Sequence, residues 1–170
     1  MRLFNGTRSF VELIDYKGKQ AILKQLRPGK PDTLVKEAKI LKSLDRYVPK
    51  LYESGPGYII MEYIDGISLK QALARDPKRA IRLALEACYY LDRMGVYHKE
   101  LGRYHHLLYG PRLEWVRVID FERSVLRPDA RNVLQFAGFY LRDYDLAEAL
   151  TLYKRNKKAG FAAILEVVGV

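Results

Sequence analysis

Three charged side chains occur where the surrounding pattern points them inward. Lys24 shares a strand face with Ile22 and Leu26, and Glu37 falls on one helical face with Leu34, Leu41 and Leu44. Asp120 closes an alternating run in which Val116 and Val118 lie on its side. Each of these charges is costly to bury unpaired. An inward lysine and an inward glutamate solve the problem by pairing with each other, and the pair then aims an ammonium at an anionic ligand. An aspartate opposite that pair suits a metal ion.

The elements that must carry these groups are legible in outline. Residues 1–26 alternate and are punctuated by Gly6 and Gly18, which predicts two or three strands, with DYKGK as a hairpin turn. After the breaker cluster RPGKPD comes the helix TLVKEAKILKSL. KLYE and GYIIMEYI, separated by SGPG, read as a second strand pair that Asp65 and Gly66 end. SLKQAL opens with capping-box spacing from Ser68 to Gln71, and DPKRAIRLALEACYYLDRMG is a helix starting at Asp76 and Pro77 and ending at Gly95. A polar, histidine-bearing loop, HKELGRYHHLLYG, leads to the strand WVRVIDFE. Two further helical stretches follow, RPDARNVLQFAGFYL with Pro128 and Asp129 as its start signal, and DLAEALTLYKRN, with Gly160 as a late break. The expected class is α+β.

Composition narrows the function classes. A chain of 170 residues that is 49% hydrophobic and 29% charged can bury a core in one domain or two small lobes. The apolar runs fall short of the roughly 20 residues that span a bilayer, and MRLFNGTRSF lacks a signal-peptide core. A soluble, cytoplasmic protein with no membrane partner is expected. The single cysteine, Cys88, reads as core packing. A net charge of +10 favours anionic partners such as nucleotide or RNA. The dense basic run Lys154, Arg155, Lys157 and Lys158 reads either as a solvated helix end or as an RNA contact.

The order of these residues resembles the protein-kinase signature: a strand lysine, a helix glutamate, an H-R-D-L-x-x-x-N loop and a D-F-G triplet. AILK at 21–24 is similar to the lysine strand, EAKILKSL at 37–44 to the regulatory helix, MEYIDG at 61–66 to the hinge, HKEL at 98–101 to the catalytic loop and IDFE at 119–122 to the metal-binding triplet. The likeness runs from Gly6 to Glu122 and is to minimal atypical kinases, the RIO kinases and the small kinases of the tRNA-modifying KEOPS complex, and especially to short archaeal predicted serine/threonine kinases. It implies a minimal bilobal fold, with a β-rich N-terminal lobe over residues 1–61 containing one helix, a hinge at 62–67, and a reduced, mainly helical C-terminal lobe over 68–170.

It also implies roles. Lys24, held by Glu37, would grip the phosphates of ATP, while Gly6, Arg8 and Ser9 of NGTRSFV would cover them. Met61 would be the gatekeeper, with backbone groups of Glu62 and Ile64 meeting the adenine edge. Glu100 would act as base or hydroxyl-orienting group, and Asp120 would hold Mg²⁺. The family asparagine aligns with His105, an imidazole that points to Mn²⁺ or to a lone metal site; a shift by one residue gives that place to His106, and the alternative reading of a histidine here is structural.

Glu100 stands where the family has aspartate, and no A-P-E-like triplet follows Glu122. The function implied is an ATP-dependent phosphotransferase acting on a protein or small-molecule hydroxyl, or an ATPase. The alternatives are a pseudokinase or ATP-binding adaptor, an RNA-associated scaffold in an RNA-modifying or ribosome-related complex, and a small-molecule kinase of the aminoglycoside-phosphotransferase type.

Overall fold

The computed structural model describes residues 2–170 and is a mixed α+β protein. Three strands open the chain: β1 (Arg2–Asn5), β2 (Ser9–Tyr16) and β3 (Lys19–Leu26). The β2–β3 hairpin turns on Lys17 and Gly18, both at positive φ (53° and 80°), as a two-residue turn matched to strand twist requires. Helix α1 (Leu34–Ser43) follows, then β4 (Leu51–Gly55) and β5 (Tyr58–Glu62). The strands form one antiparallel sheet in the order β1-β2-β3-β5-β4, with α1 packed against β4 and β5. Leu34, Ile40 and Leu41 of α1 are buried, and Glu37 is buried beside them.

The remainder is mainly helical. The two-residue strand β6 (Ile67–Ser68) leads into α2 (Leu69–Arg75), whose capping box forms in both directions between Ser68 and Gln71. Helix α3 (Pro77–Arg93) starts with Pro77 in its first turn and with the Asp76 carboxylate accepting from Arg79 N–H at 3.0 Å. It is the central helix, burying Ile81, Leu85, Cys88 and Leu91 among others, at about 1.5–3 kcal/mol per large apolar side chain. Burial also pushes the Cys88 thiol well up, which leaves it uncharged.

Short strands β7 (Val96–Tyr97), β8 (Leu107–Tyr109), β9 (Val116–Val118) and β10 (Val125–Leu126) build two small ladders, β6-β8-β9 and β10-β7, and a 3-10 turn at Tyr104–His106 precedes β8. Helices α4 (Asn132–Tyr140), α5 (Ala147–Arg155) and α6 (Lys157–Val168) complete the chain, with α4 packed on α3 and α5 on α6. Among the described residues no helix is long and apolar enough to cross a membrane.

Three local expectations are corrected. The strand expected through Glu122 stops at Val118, so Asp120 does not sit on a strand face; it adopts φ 65° in the left-handed region. Pro128 and Asp129 do not start a helix: Asp129 pairs with Arg127 at 2.7 Å, and α4 begins at Asn132. Gly160 is not a break but lies inside α6, where a Cβ would collide with the Tyr153 backbone, so glycine lets α5 and α6 approach closely. The break falls at Asn156, which ends α5 and caps α6 by accepting from Ala159 N–H at 3.0 Å.

Candidate functional site

Lys24 and Ile22 share the face of β3 that looks away from solvent into a cavity between the sheet and the helical part. Behind Lys24, Glu37 is fully buried on α1, and the lysine Nζ donates to both its carboxylate oxygens, at 3.0 and 3.1 Å. Glu37 Oε1 also accepts from Phe121 N–H at 3.3 Å, which ties α1 to the turn carrying Asp120. Asp120 Oδ1 and Glu122 Oε1 each lie 3.6 Å from Lys24 Nζ. One ammonium thus faces three carboxylates.

Electrostatics follow from this crowding. Burial pulls the Lys24 pKa down, but the charges of Glu37, Asp120 and Glu122 outweigh it and hold the ammonium above its ordinary range. Burial pushes Asp120 upward, yet its contact with His106 and the neighbouring charge of Lys24 keep it well below the usual carboxylate range. Asp120 therefore stays charged, with its side chain 37% exposed to the cavity.

The backbone that presents Asp120 is pinned from several sides. Val118 N–H donates to Tyr47 O at 2.6 Å, Ile119 N–H to His106 O at 2.9 Å, and His98 Nε2 lies 2.8 Å from Ile119 O. A carbonyl can only accept, so His98 carries its proton on Nε2, and its Nδ1 accepts from Glu100 N–H at 3.2 Å. Burial lowers the His98 pKa to about 4, keeping the ring neutral. One buried imidazole thereby positions both the Glu100 loop and the Asp120 turn. Asn132 accepts from His98 N–H at 2.9 Å, and Gln135 accepts from Leu101 N–H at 2.7 Å, so α4 anchors the same loop. Asp92 in turn accepts from Asn132 N–H and Nδ2 at 2.6 and 2.7 Å and from the Tyr153 hydroxyl at 2.7 Å.

Of the residues singled out by sequence, Gly6, Arg8, Ser9, Lys24, Met61, Glu62, Ile64, Glu100, His105 and Asp120 all line one cavity of about 610 Å³, and Glu37 stands behind it. That volume lies within the range of about 300–1,000 Å³ typical of small-molecule sites. Met61, Ile22 and Leu108 supply apolar walls, and Ile64 N–H has no acceptor among the described residues. Glu62 N–H is committed to Lys50 O at 2.8 Å, which leaves only its carbonyl for a ligand.

The geometry departs from expectation at two places. Ser9 does not offer a free hydroxyl: it donates to Glu122 Oε1 at 2.7 Å, and Thr33 donates to Glu122 Oε2 at 3.2 Å. Glu122, read from sequence only as part of the IDFE motif, thus lies against Lys24 and Ser9. His105, expected as second ligand beside Asp120, is exposed on the cavity wall, whereas buried His106 brings Nε2 to 3.4 Å from Asp120 Oδ2. In a 3-10 turn, at about three residues per turn, neighbouring side chains point about 120° apart, so the two histidines cannot both face inward.

Two groups of side chains could hold a cation, Glu100 with His106 and Asp120, and Glu37 with Asp120 and Glu122. His98, Asp92 and Asn132 were missed as positioning residues; the one signal for them was a histidine and an aspartate inside otherwise apolar surroundings. Compared with models of known protein families and with curated proteins, the chain shows no significant match.

Proposed function

We propose that the protein is an ATP-dependent phosphotransferase of the minimal, atypical protein-kinase-like type, its sheet part acting as an N-terminal lobe and its helical part as a C-terminal lobe. The observation that carries this reading is the buried Lys24–Glu37 pair at 3.0 Å on the wall of a cavity, with the cavity-facing carboxylate of Asp120 3.6 Å from the lysine ammonium. Adenine would lie between the Ile22, Met61 and Leu108 walls, with the Glu62 carbonyl and Ile64 N–H at its edge. Lys24 would contact the phosphates, with Arg8 and the Gly6 turn closing over them.

The site's excess of carboxylates suits a divalent cation, and Asp120 is the side chain both charged and open to the cavity. When bound, Mg²⁺ would neutralise charge developing on the transferred phosphoryl group. Glu100, flanked by Arg103 and Arg123 at 3.7 Å, would orient the acceptor hydroxyl. Positioning and electrostatics would then supply most of the rate.

A second reading, an ATP-binding adaptor without turnover, is favoured by Glu122, which already engages Lys24 and Ser9 where phosphates would go. Transfer or hydrolysis of the γ-phosphate of labelled ATP separates the two. The enzyme reading expects metal-dependent turnover that Asp120→Asn abolishes while the circular dichroism spectrum is retained. Nucleotide binding without turnover would favour the adaptor, and the absence of any nucleotide binding would reject both.

A further inference from the structure

His106 is 2% exposed and its two ring nitrogens have different partners. Nδ1 lies 3.0 Å from the Glu100 carbonyl oxygen, which can only accept, so Nδ1 carries a proton. In the neutral ring Nε2 is then a lone pair, and it faces Asp120 Oδ2, another acceptor, at 3.4 Å. Two acceptors set opposite each other at that distance need a cation between them: a proton on Nε2, the state in which His106 lowers the Asp120 pKa, or a metal ion in that proton's place. Two ligands held at about 2.1 Å from one ion stand about 3.0–3.4 Å apart for bond angles of about 90–109°. An imidazole that donates its other N–H to a backbone carbonyl is also in the arrangement that orients metal-binding histidines.

We infer that His106 Nε2 and Asp120 Oδ2 form a nitrogen–oxygen chelate for a divalent transition-metal ion of the Mn²⁺ type, favoured over Mg²⁺. His105 lies outside this chelate, exposed on the cavity wall, and Glu100 is left to the acceptor. Magnesium takes oxygen ligands and holds its waters, whereas imidazole raises the relative affinity for first-row transition metals. The inference deepens the proposed phosphotransfer function and rests on that reading for its purpose, though not for its geometry.

The test uses the nucleotide-free protein and Mn²⁺ alone. Free Mn²⁺ is followed by electron paramagnetic resonance during titration, and bound Mn²⁺ by spin-echo modulation, which detects a directly coordinated ¹⁴N. The wild type and His105→Asn should bind Mn²⁺ with nitrogen modulation, and displacement should need about a tenfold or greater excess of Mg²⁺. His106→Asn should lose the modulation and about tenfold or more in Mn²⁺ affinity. His106→Gln, whose longer amide can still reach the Glu100 carbonyl, takes its place if that variant does not fold.

No Mn²⁺ binding by the wild type, no nitrogen signal from it, a signal that persists without His106, or one that disappears with His105 would each overturn the inference. Because nucleotide is absent, failed phosphotransfer leaves a positive metal result standing. A chain that transfers phosphate with an all-oxygen metal site overturns this inference alone.

Discussion

Replacing Lys24 by methionine keeps most of the length and the apolar packing of the side chain but removes the ammonium that faces three carboxylates. Glu37, Asp120 and Glu122 offer oxygen atoms that lie within 4.8 Å of one another. At that separation and an effective dielectric near 20, each like-charge pair costs about 3 kcal/mol. Glu37, fully buried, is the group left with no counter-charge. Breaking one side of a buried pair in this way costs about 3–5 kcal/mol, a large share of the stability of about 5–15 kcal/mol usual for a domain.

The loss should depend on pH with a definite sign. Burial already pushes the Glu37 pKa up, and losing Lys24, whose charge and hydrogen bonds oppose that shift, raises it further. A carboxyl whose folded pKa lies above its unfolded value favours the folded state in acid and loses that contribution as pH rises. Lys24→Met should therefore be destabilised less near pH 5 than near pH 8, and adding Glu37→Gln should recover most of the loss by removing the stranded charge. Urea denaturation followed by circular dichroism at both pH values reads all three proteins. A single variant within about 1 kcal/mol of wild type, an equal loss at both pH values, or a double variant as unstable as the single would refute the paired-charge account.

Glu122→Gln keeps the partners Ser9 and Thr33 but removes the charge beside Lys24, so ADP affinity without divalent metal should rise by about tenfold, or 1.4 kcal/mol, in a fluorescence titration; unchanged affinity would place the phosphates elsewhere. His98, whose pKa falls from 6.5 to about 4 in the folded state, contributes stability that is present above pH 6.5 and lost as pH falls toward 4. That shift corresponds to about 3 kcal/mol, so His98→Gln should flatten the acid limb of the stability profile, and an unaltered limb would show that other groups set it.

Much of the scaffold was open to local reasoning, because its signals are local. The Lys17–Gly18 hairpin, the Ser68–Gln71 capping box and the Asp76–Pro77 helix start are set by backbone preferences and hydrogen bonds within a few residues, and each forms where the residue types indicate. The inward direction of Lys24 and Glu37 was legible for the same reason, since periodicity alone assigns a side chain to a face. Gly160 shows the limit of such reasoning. A glycine in a helical stretch reads as a stop until the Tyr153 backbone is found against it.

The candidate site divides along the same line. Sequence alone determined the elements through α3 in outline and that an ammonium and a carboxylate, Lys24 and Glu37, had to be buried together, because burial of charge is dictated by pattern and penalised by physics wherever it occurs. Tertiary structure decided that Glu122 shares Lys24, that His106 rather than His105 turns toward Asp120, and that His98 and Asn132 hold the loop between them. These are contacts between residues up to 98 positions apart, and their directions depend on the β8–β9 register and the 3-10 turn before it. A rotation of about 120° between neighbouring side chains changes which group reaches the cavity, and only the packed chain sets that rotation.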